Sequence, residues 1–236
     1  RPIAELMTIN FGFSAMDYIV NQAAKLHYMF GGQFTLPLVI RAVGGGGRQL
    51  GATHSQTPDA IFAHFPGLKV VSPGTPEDAK GLLKSAIRSN DPILFIEHAT
   101  MYQVRGEVPE GEYLIPIGKS KVQRTGKDLT IVTYCKGLEL SMKAADELAK
   151  EGIEAEIVDL RTLRPLDMEP VLDVRQNGPH GGTLGWLGLR RRRRHRRLEV
   201  PPVSLRSSPA GTPPRSGASL GWSMACCAPP TPIRRR

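Results

Sequence analysis

His54 sits where a side chain can do chemistry. The run from Phe34 to Gln56 reads FTLPLVIRAVGGGGRQLGATHSQ. An apolar, β-branched stretch closes on Arg41, four glycines follow (Gly44 to Gly47), and the segment ends on His54-Ser55-Gln56. A buried strand that empties into a glycine loop and then presents a histidine is how open α/β sheets build sites at their strand ends. Histidine is the side chain suited by its ordinary pKa to proton exchange near neutrality. The plainer reading stands beside this one: glycine runs are commonly mobile loops, and isolated histidines are commonly structural. Spacing alone leaves both open.

The surrounding pattern says what must position that loop. Phe11 to Phe30 reads as a helix, with Ala15, Tyr18, Ile19, Ala23, Leu26 and Met29/Phe30 at three-to-four spacing and Gly31-Gly32 as its stop. A strand is expected over Leu36 to Val43. Pro58-Asp59 opens a short helix through Phe65, with Thr57 as its N-cap, and Leu68 to Val71 is a second strand. Thr75-Pro76-Glu77-Asp78 combines a capping threonine, proline at the first helical position and acids over the positive dipole end, so a helix should run to about Ser89. PILFIE, Pro92 to Glu97, gives a third strand. Short strands that are apolar on both faces and separated by helices predict a parallel sheet covered on both sides.

Val104 to Gly118, rich in Gly, Pro and Glu, suits a linker. The pattern then resumes with a strand at Asp128 to Tyr134, a helix at Gly137 to Glu151 capped by Gly152, and a strand at Ala155 to Leu160. The expected organisation is two α/β units, 1–103 and 118–173, joined by 104–117.

The net charge of +9 would suggest a polyanionic partner, but the charge is not spread evenly. Residues 174–236 hold 13 arginines, no lysine and one acid, a net of +12. Residues 1–173 hold 18 basic and 21 acidic residues, a net of −3. That Arg-, Pro- and Ser-rich tail lacks apolar periodicity and reads as disordered. Its abrupt change of composition also fits a wrong reading frame or a misplaced exon. Aromatics stand only outside the arginine run, at Trp186 and Trp222, so no stacking platform for nucleic acid is built in. Cys135, Cys226 and Cys227 form no spaced framework, which fits a reducing, intracellular compartment. No apolar run approaches the roughly 20 residues of a bilayer span. The chain opens on Arg1-Pro2 with no leader pattern, which reads as a truncation that leaves any targeting peptide outside it.

Taken together, RPIAELMTINF, VNQAAKLHYMFGGQ, LPLVIR, His54-Ser55-Gln56, PGLKVVSP, EDAKGLLKSAIR, IPIGK and DLRTLRPLD are co-linear over residues 1–173. With them the chain resembles the β subunits of the E1 component of 2-oxo acid dehydrogenase complexes, most of all those of the pyruvate dehydrogenase type. The resemblance implies a transketolase-like α/β fold: a pyrimidine-binding parallel sheet, truncated at its N-terminus, then the start of a C-terminal α/β domain. It implies thiamine diphosphate shared with an E1 α subunit in an α2β2 assembly, decarboxylation of a 2-oxo acid, and acyl transfer to the lipoyl group of an E2 acyltransferase. His54 would then be the imidazole that exchanges protons with intermediates or steadies the incoming lipoyl group, and Phe11 the aromatic on the aminopyrimidine ring. Leu38, Ala86, Ile87, Ser89 and Asp91 match positions that offer a structural K+ mostly backbone oxygens, with Ser89 and Asp91 in place of the usual acid and amide.

Three departures bear on these expectations. The upstream part that carries the family's cofactor-binding glutamate is not in the chain. No Gly-Asp-Gly motif with paired asparagines occurs, so Mg2+ and diphosphate are expected on the α subunit. The C-terminal domain breaks off after its first β–α–β. Acetoin and branched-chain 2-oxo acid enzymes share the motifs. A non-catalytic scaffold with a polyanion-binding tail is the alternative from another class. The matrix of mitochondria, the plastid stroma and the bacterial cytoplasm all suit the chain.

Overall fold

A computed structural model describes residues 1–172 and 188–191. In chain order the strands and helices are β1 (Ile3–Leu6), α1 (Leu26–Met29), β2 (Val39–Gly44), α2 (Asp59–His64), β3 (Lys69–Val71), α3 (Pro76–Arg88), β4 (Ile93–His98), β5 (Lys121–Arg124), β6 (Leu129–Thr133), α4 (Lys136–Lys150), β7 (Ala155–Asp159), β8 (Thr162–Arg164) and β9 (Gly188–Arg191). They build two sheets, ordered β1-β2-β4-β3-β8 and β5-β7-β6-β9.

In the first sheet β1, β2, β4 and β3 are parallel. Alternation along β4 shows why it lies at the centre. Leu94 and Ile96 face one apolar cluster with Ile9, Val20 and Phe62, while Ile93 and Phe95 face another with Leu82 and Ala86 of α3. Both faces are thus covered, as a near-continuous apolar strand requires. The second sheet packs Ile131 and Ile157 against Leu138 and Ala145 of α4.

Neither sheet is purely parallel, which corrects the expectation from the strand pattern. β8 pairs antiparallel with β3 and so carries the DLRTLR segment back onto the first sheet. β5 and β9 run antiparallel in the second. β9 pairs along the open edge of β6, whose unpaired backbone groups a short segment can satisfy. The other residues of the expected tail, with Cys226 and Cys227, lie outside the described residues.

The helix expected over Phe11 to Phe30 is broken into a 3-10 turn (Ile9–Phe13), a π turn (Tyr18–Ala23) and the single turn α1. The break meets a close contact: a Cβ on Gly67 would stand 1.8 Å from the Ala24 carbonyl oxygen, and Lys25 donates to the Pro66 carbonyl at 2.6 Å. Tertiary packing here overrides periodicity. The cap of α2 is Pro58, with no side-chain bond, in place of the expected Thr57.

Thr75 does cap α3, its Oγ1 accepting from the Asp78 amide at 3.1 Å. The linker lies across that helix. Ser85 donates to the Ile115 carbonyl at 2.6 Å, and Tyr113 and Ile115 fill the space over Gly81. Thr75→Ala should lower the unfolding free energy by about 1–2 kcal/mol in urea titration, the usual cost of a lost cap. Among the described residues no helix is long and apolar enough to cross a membrane.

Candidate active site at the strand ends

At the carboxyl edge of the first sheet, β1 ends in a 3-10 turn that Thr8 caps, and this turn presents Phe11. β2 ends at Gly44, and the loop from Gly45 leads to His54. Two hydrogen bonds tie these pieces together. Asn10 Nδ2 donates to Gln56 Oε1 at 2.6 Å, and the Gly45 amide donates to the Gln56 carbonyl at 3.1 Å. Gln56 therefore closes the loop at its base and fastens it to the turn that bears Phe11.

Phe11 and His54, predicted separately, meet edge to face, with ring centroids 5.3 Å apart and planes at 86°. Phe11 remains 41% exposed, so an apolar ring face stays open to a partner. The Thr53 hydroxyl lies 2.9 Å from His54 Nδ1 and steadies the imidazole from the side. A half-buried histidine beside an open aromatic face can exchange a proton with a group held on that face.

The residues expected to hold potassium are each engaged by a donor of the protein. Arg1 Nη1 donates to the carbonyls of Ile87 (3.2 Å) and Ser89 (2.6 Å). Ile93 N and Ser89 N donate to the carbonyls of Leu38 and Ala86. The Asp91 carboxylate pairs with Lys69 at 2.7 Å.

Sequence reasoning missed a cavity of about 340 Å³ behind the glycine loop. Gly44, Gly45, Asp59 and His98 line it from the first sheet and its connections, and Tyr134 and Lys136 from the second unit. Burial pushes the Asp59 carboxyl up to about 6, against the lowering effect of a hydrogen bond from Tyr134. Burial raises the Tyr134 phenol and takes the Cys135 thiol to about 11. His98 is shifted the other way, lowered by burial and then by nearby Lys136. A signal did exist: His98 ends β4 and Tyr134 directly follows β6, at strand ends where α/β folds place working side chains.

On the outer side Arg41 bridges three strands. It pairs with Glu5 on β1 and, at 2.9 Å, with Glu97 on β4, which also accepts from Tyr102 at 2.8 Å. This clamp holds the edge strand that launches the Phe11 turn. The strand expected over Leu36 to Val43 is observed as Val39–Gly44.

The chain matches two family models: the transketolase pyrimidine binding domain over residues 1–104, and the transketolase C-terminal domain over residues 118–180. It is 57% identical over 177 residues to the acetoin:2,6-dichlorophenolindophenol oxidoreductase subunit beta of Cupriavidus necator, covering 75% of this chain and 52% of that protein. To the 2-oxoisovalerate dehydrogenase subunit beta of Bacillus subtilis it is 47% identical, over 74% of this chain and 54% of that one. To the pyruvate dehydrogenase E1 component subunit beta of Rhizobium meliloti it is 48% identical, over 75% of this chain and 39% of that one. The chain spans about half the length of the curated relatives it matches. A split-gene transketolase solved as an inactive β4 tetramer shares the fold at TM-score 0.61 and 24% identity, covering 74% of this chain and 54% of that chain.

Proposed function

We propose, from the premise that this chain belongs to the transketolase-like family and resembles the β subunits of the E1 component of 2-oxo acid dehydrogenase complexes, that it supplies the pyrimidine side of a thiamine diphosphate site shared with an α subunit. The observation that carries this reading is the Phe11–His54 pair at the carboxyl edge of the sheet. An open aromatic face beside an imidazole fits a flat, polar heteroaromatic ring.

When bound, thiamine diphosphate supplies the carbanion stabilisation that decarboxylation of a 2-oxo acid needs. The chain's own part is positional and acid–base. Phe11 packs on the ring, His54 holds or delivers a proton at the reacting atom, and the Asn10–Gln56 bond keeps the two together. The diphosphate and Mg2+ fall to the α subunit in this proposal. Among the described residues no group of three or more His, Cys, Asp or Glu side chains is placed to hold a metal. A structural K+ would have to displace Arg1 from the carbonyls of Ile87 and Ser89.

The proposed substrate is pyruvate, with the acyl group passing to the lipoyl arm of an E2 partner. A second reading, acetoin, is favoured by the 57% identity to the Cupriavidus protein. In the same proposal residues 1–103 are the pyrimidine-binding domain, 104–117 a linker and 118–173 the beginning of the C-terminal domain. The compartment proposed is intracellular and reducing; relatives include proteins named mitochondrial and others from bacteria.

Phe11→Ala, assayed with an α subunit, should raise the thiamine diphosphate concentration for half-maximal turnover by roughly three- to tenfold, the value of one aromatic contact. An unchanged cofactor curve would remove Phe11 from the ring. Rates with pyruvate, acetoin and a branched-chain 2-oxo acid, measured side by side, choose the substrate.

A further inference from the structure

His98 stands opposite Gly44 in the β2–β4 register, with its ring turned toward the glycine loop. A Cβ on Gly45 would lie 2.2 Å from both Cδ2 and Nε2 of that ring, and 2.9 Å from Cε1. The glycine backbone therefore rests directly on the edge of the imidazole. Gly45 also has φ +82°, so both space and backbone conformation demand glycine there. The same Gly45 donates its amide to Gln56, and Gln56 accepts from Asn10 beside Phe11.

The ring is fixed in turn. Its Nδ1 accepts from the Thr100 amide at 3.3 Å and lies 3.0 Å from the Thr100 hydroxyl. A backbone N–H can only donate, so Nδ1 carries no proton and the neutral ring is the Nε2–H tautomer. Thr100 itself meets the loop two residues further on: a Cβ on Gly47 would stand 2.9 Å from Thr100 Cγ2. His98 and Thr100 together form the floor on which the glycine run lies.

We infer that His98 is a positioning residue for the His54 loop: its ring sets the height of the Gly45–Gln56 base, and through Gln56 and Asn10 it sets the relation of His54 to Phe11. The inference rests on the functional reading of His54 but concerns the loop's geometry, which can be measured without cofactor or turnover. It also explains why a histidine at the end of β4 lies against the glycine run.

The test uses the full chain labelled for NMR, with three readouts: the ring resonances of His54, which feel the ring current of Phe11; amide exchange over residues 46–56; and amide exchange in β4 and β6. His98→Ala should shift the His54 ring resonances and speed exchange in the loop by about tenfold or more, while core strand amides change by less than about twofold, as for a local opening. His98→Asn, which keeps a planar group and an acceptor for the Thr100 amide, should recover part of the protection. Gly45→Ala should perturb the same resonances, and Gly45→Ala with His98→Ala should perturb them by less than the sum, because the added methyl enters the space the ring vacates. Unchanged His54 resonances in His98→Ala, equal loss of protection in loop and core, or strict additivity of the pair would each overturn the inference. If His54 has no catalytic role, turnover survives His54→Ala while these loop measurements stand, so the two failures are separable.

Discussion

Replacing His54 with alanine should lower thiamine diphosphate-dependent turnover of the chain assembled with an α subunit by about two to four orders of magnitude, the range of a positioned general acid or base. The loss should fall on kcat. In the proposed site the cofactor ring rests on Phe11, whose turn is capped by Thr8 and fastened through Asn10 and Gln56, none of which His54→Ala removes. A group that serves only the reacting atoms lowers kcat and kcat/KM together. Steady-state kinetics with saturating cofactor measure this. Turnover within about threefold of the parent would strip His54 of its role, and a rise in KM alone would recast it as a binding residue.

Arg161→Met should destabilise the fold by about 3–5 kcal/mol, the cost of leaving a buried ion pair without one partner. Arg161 Nη2 lies 2.6 Å from Asp78 Oδ1, a short ion pair without hydrogen-bond alignment, in which the Asp78 side chain is fully buried. Asp159 is buried beside them and accepts from the Arg161 amide at 3.1 Å. Between α3 and the end of β7, Asp78 thus pairs with the guanidinium of Arg161 and Asp159 binds the amide of the same residue. Burial, and then the charge of Asp78, push the Asp159 carboxyl up to about 7.

The sign of the pH effect follows from that shift. In the unfolded chain this carboxyl ionises near 4, so between about pH 4 and pH 7 the folded state binds the extra proton. Stability from this group is therefore fully present below pH 4 and is lost as the pH rises through 7. Asp159→Asn, which cannot ionise, should raise the denaturation midpoint at pH 8 and flatten the pH dependence between 5 and 8. Equal midpoints for parent and variant at pH 8 would show that the cluster is compensated in some other way. Equal stability of parent and Arg161→Met would show the same for the ion pair.

The sequence revealed those parts of the fold whose signals are local. α3 carries its own cap, proline and acids, and it begins where they stand. β4 is apolar on both faces and lies at the sheet centre. β1, β5 and β8 were missed because four or three residues of mixed exposure carry no clear alternation, and their pairing is decided by strands distant in the chain. Arg161 adopts φ 58°, unusual for a residue with a side chain, and its partner Asp78 belongs to another helix, so neither feature has a local signature.

The site divides in the same way. His54 was legible because the glycines before it announce a loop. Phe11 came from family resemblance, and its contact with His54 is supplied by the tie between Asn10 and Gln56. His98, Asp59 and Tyr134 were not seen as neighbours. They come from three connections, and a cavity that two α/β units enclose is invisible to any single window of sequence.

The central claim is that this chain completes a thiamine diphosphate site from the pyrimidine side. Calorimetric titration of thiamine diphosphate and Mg2+ into an α subunit alone, and then into the α subunit mixed with this chain, tests it most directly. The account predicts at least about tenfold tighter binding with the chain present, roughly 1.4 kcal/mol, and loss of most of that gain with Phe11→Ala. The same dissociation constant with and without the chain, in a mixture shown to contain the assembled subunits, would contradict it.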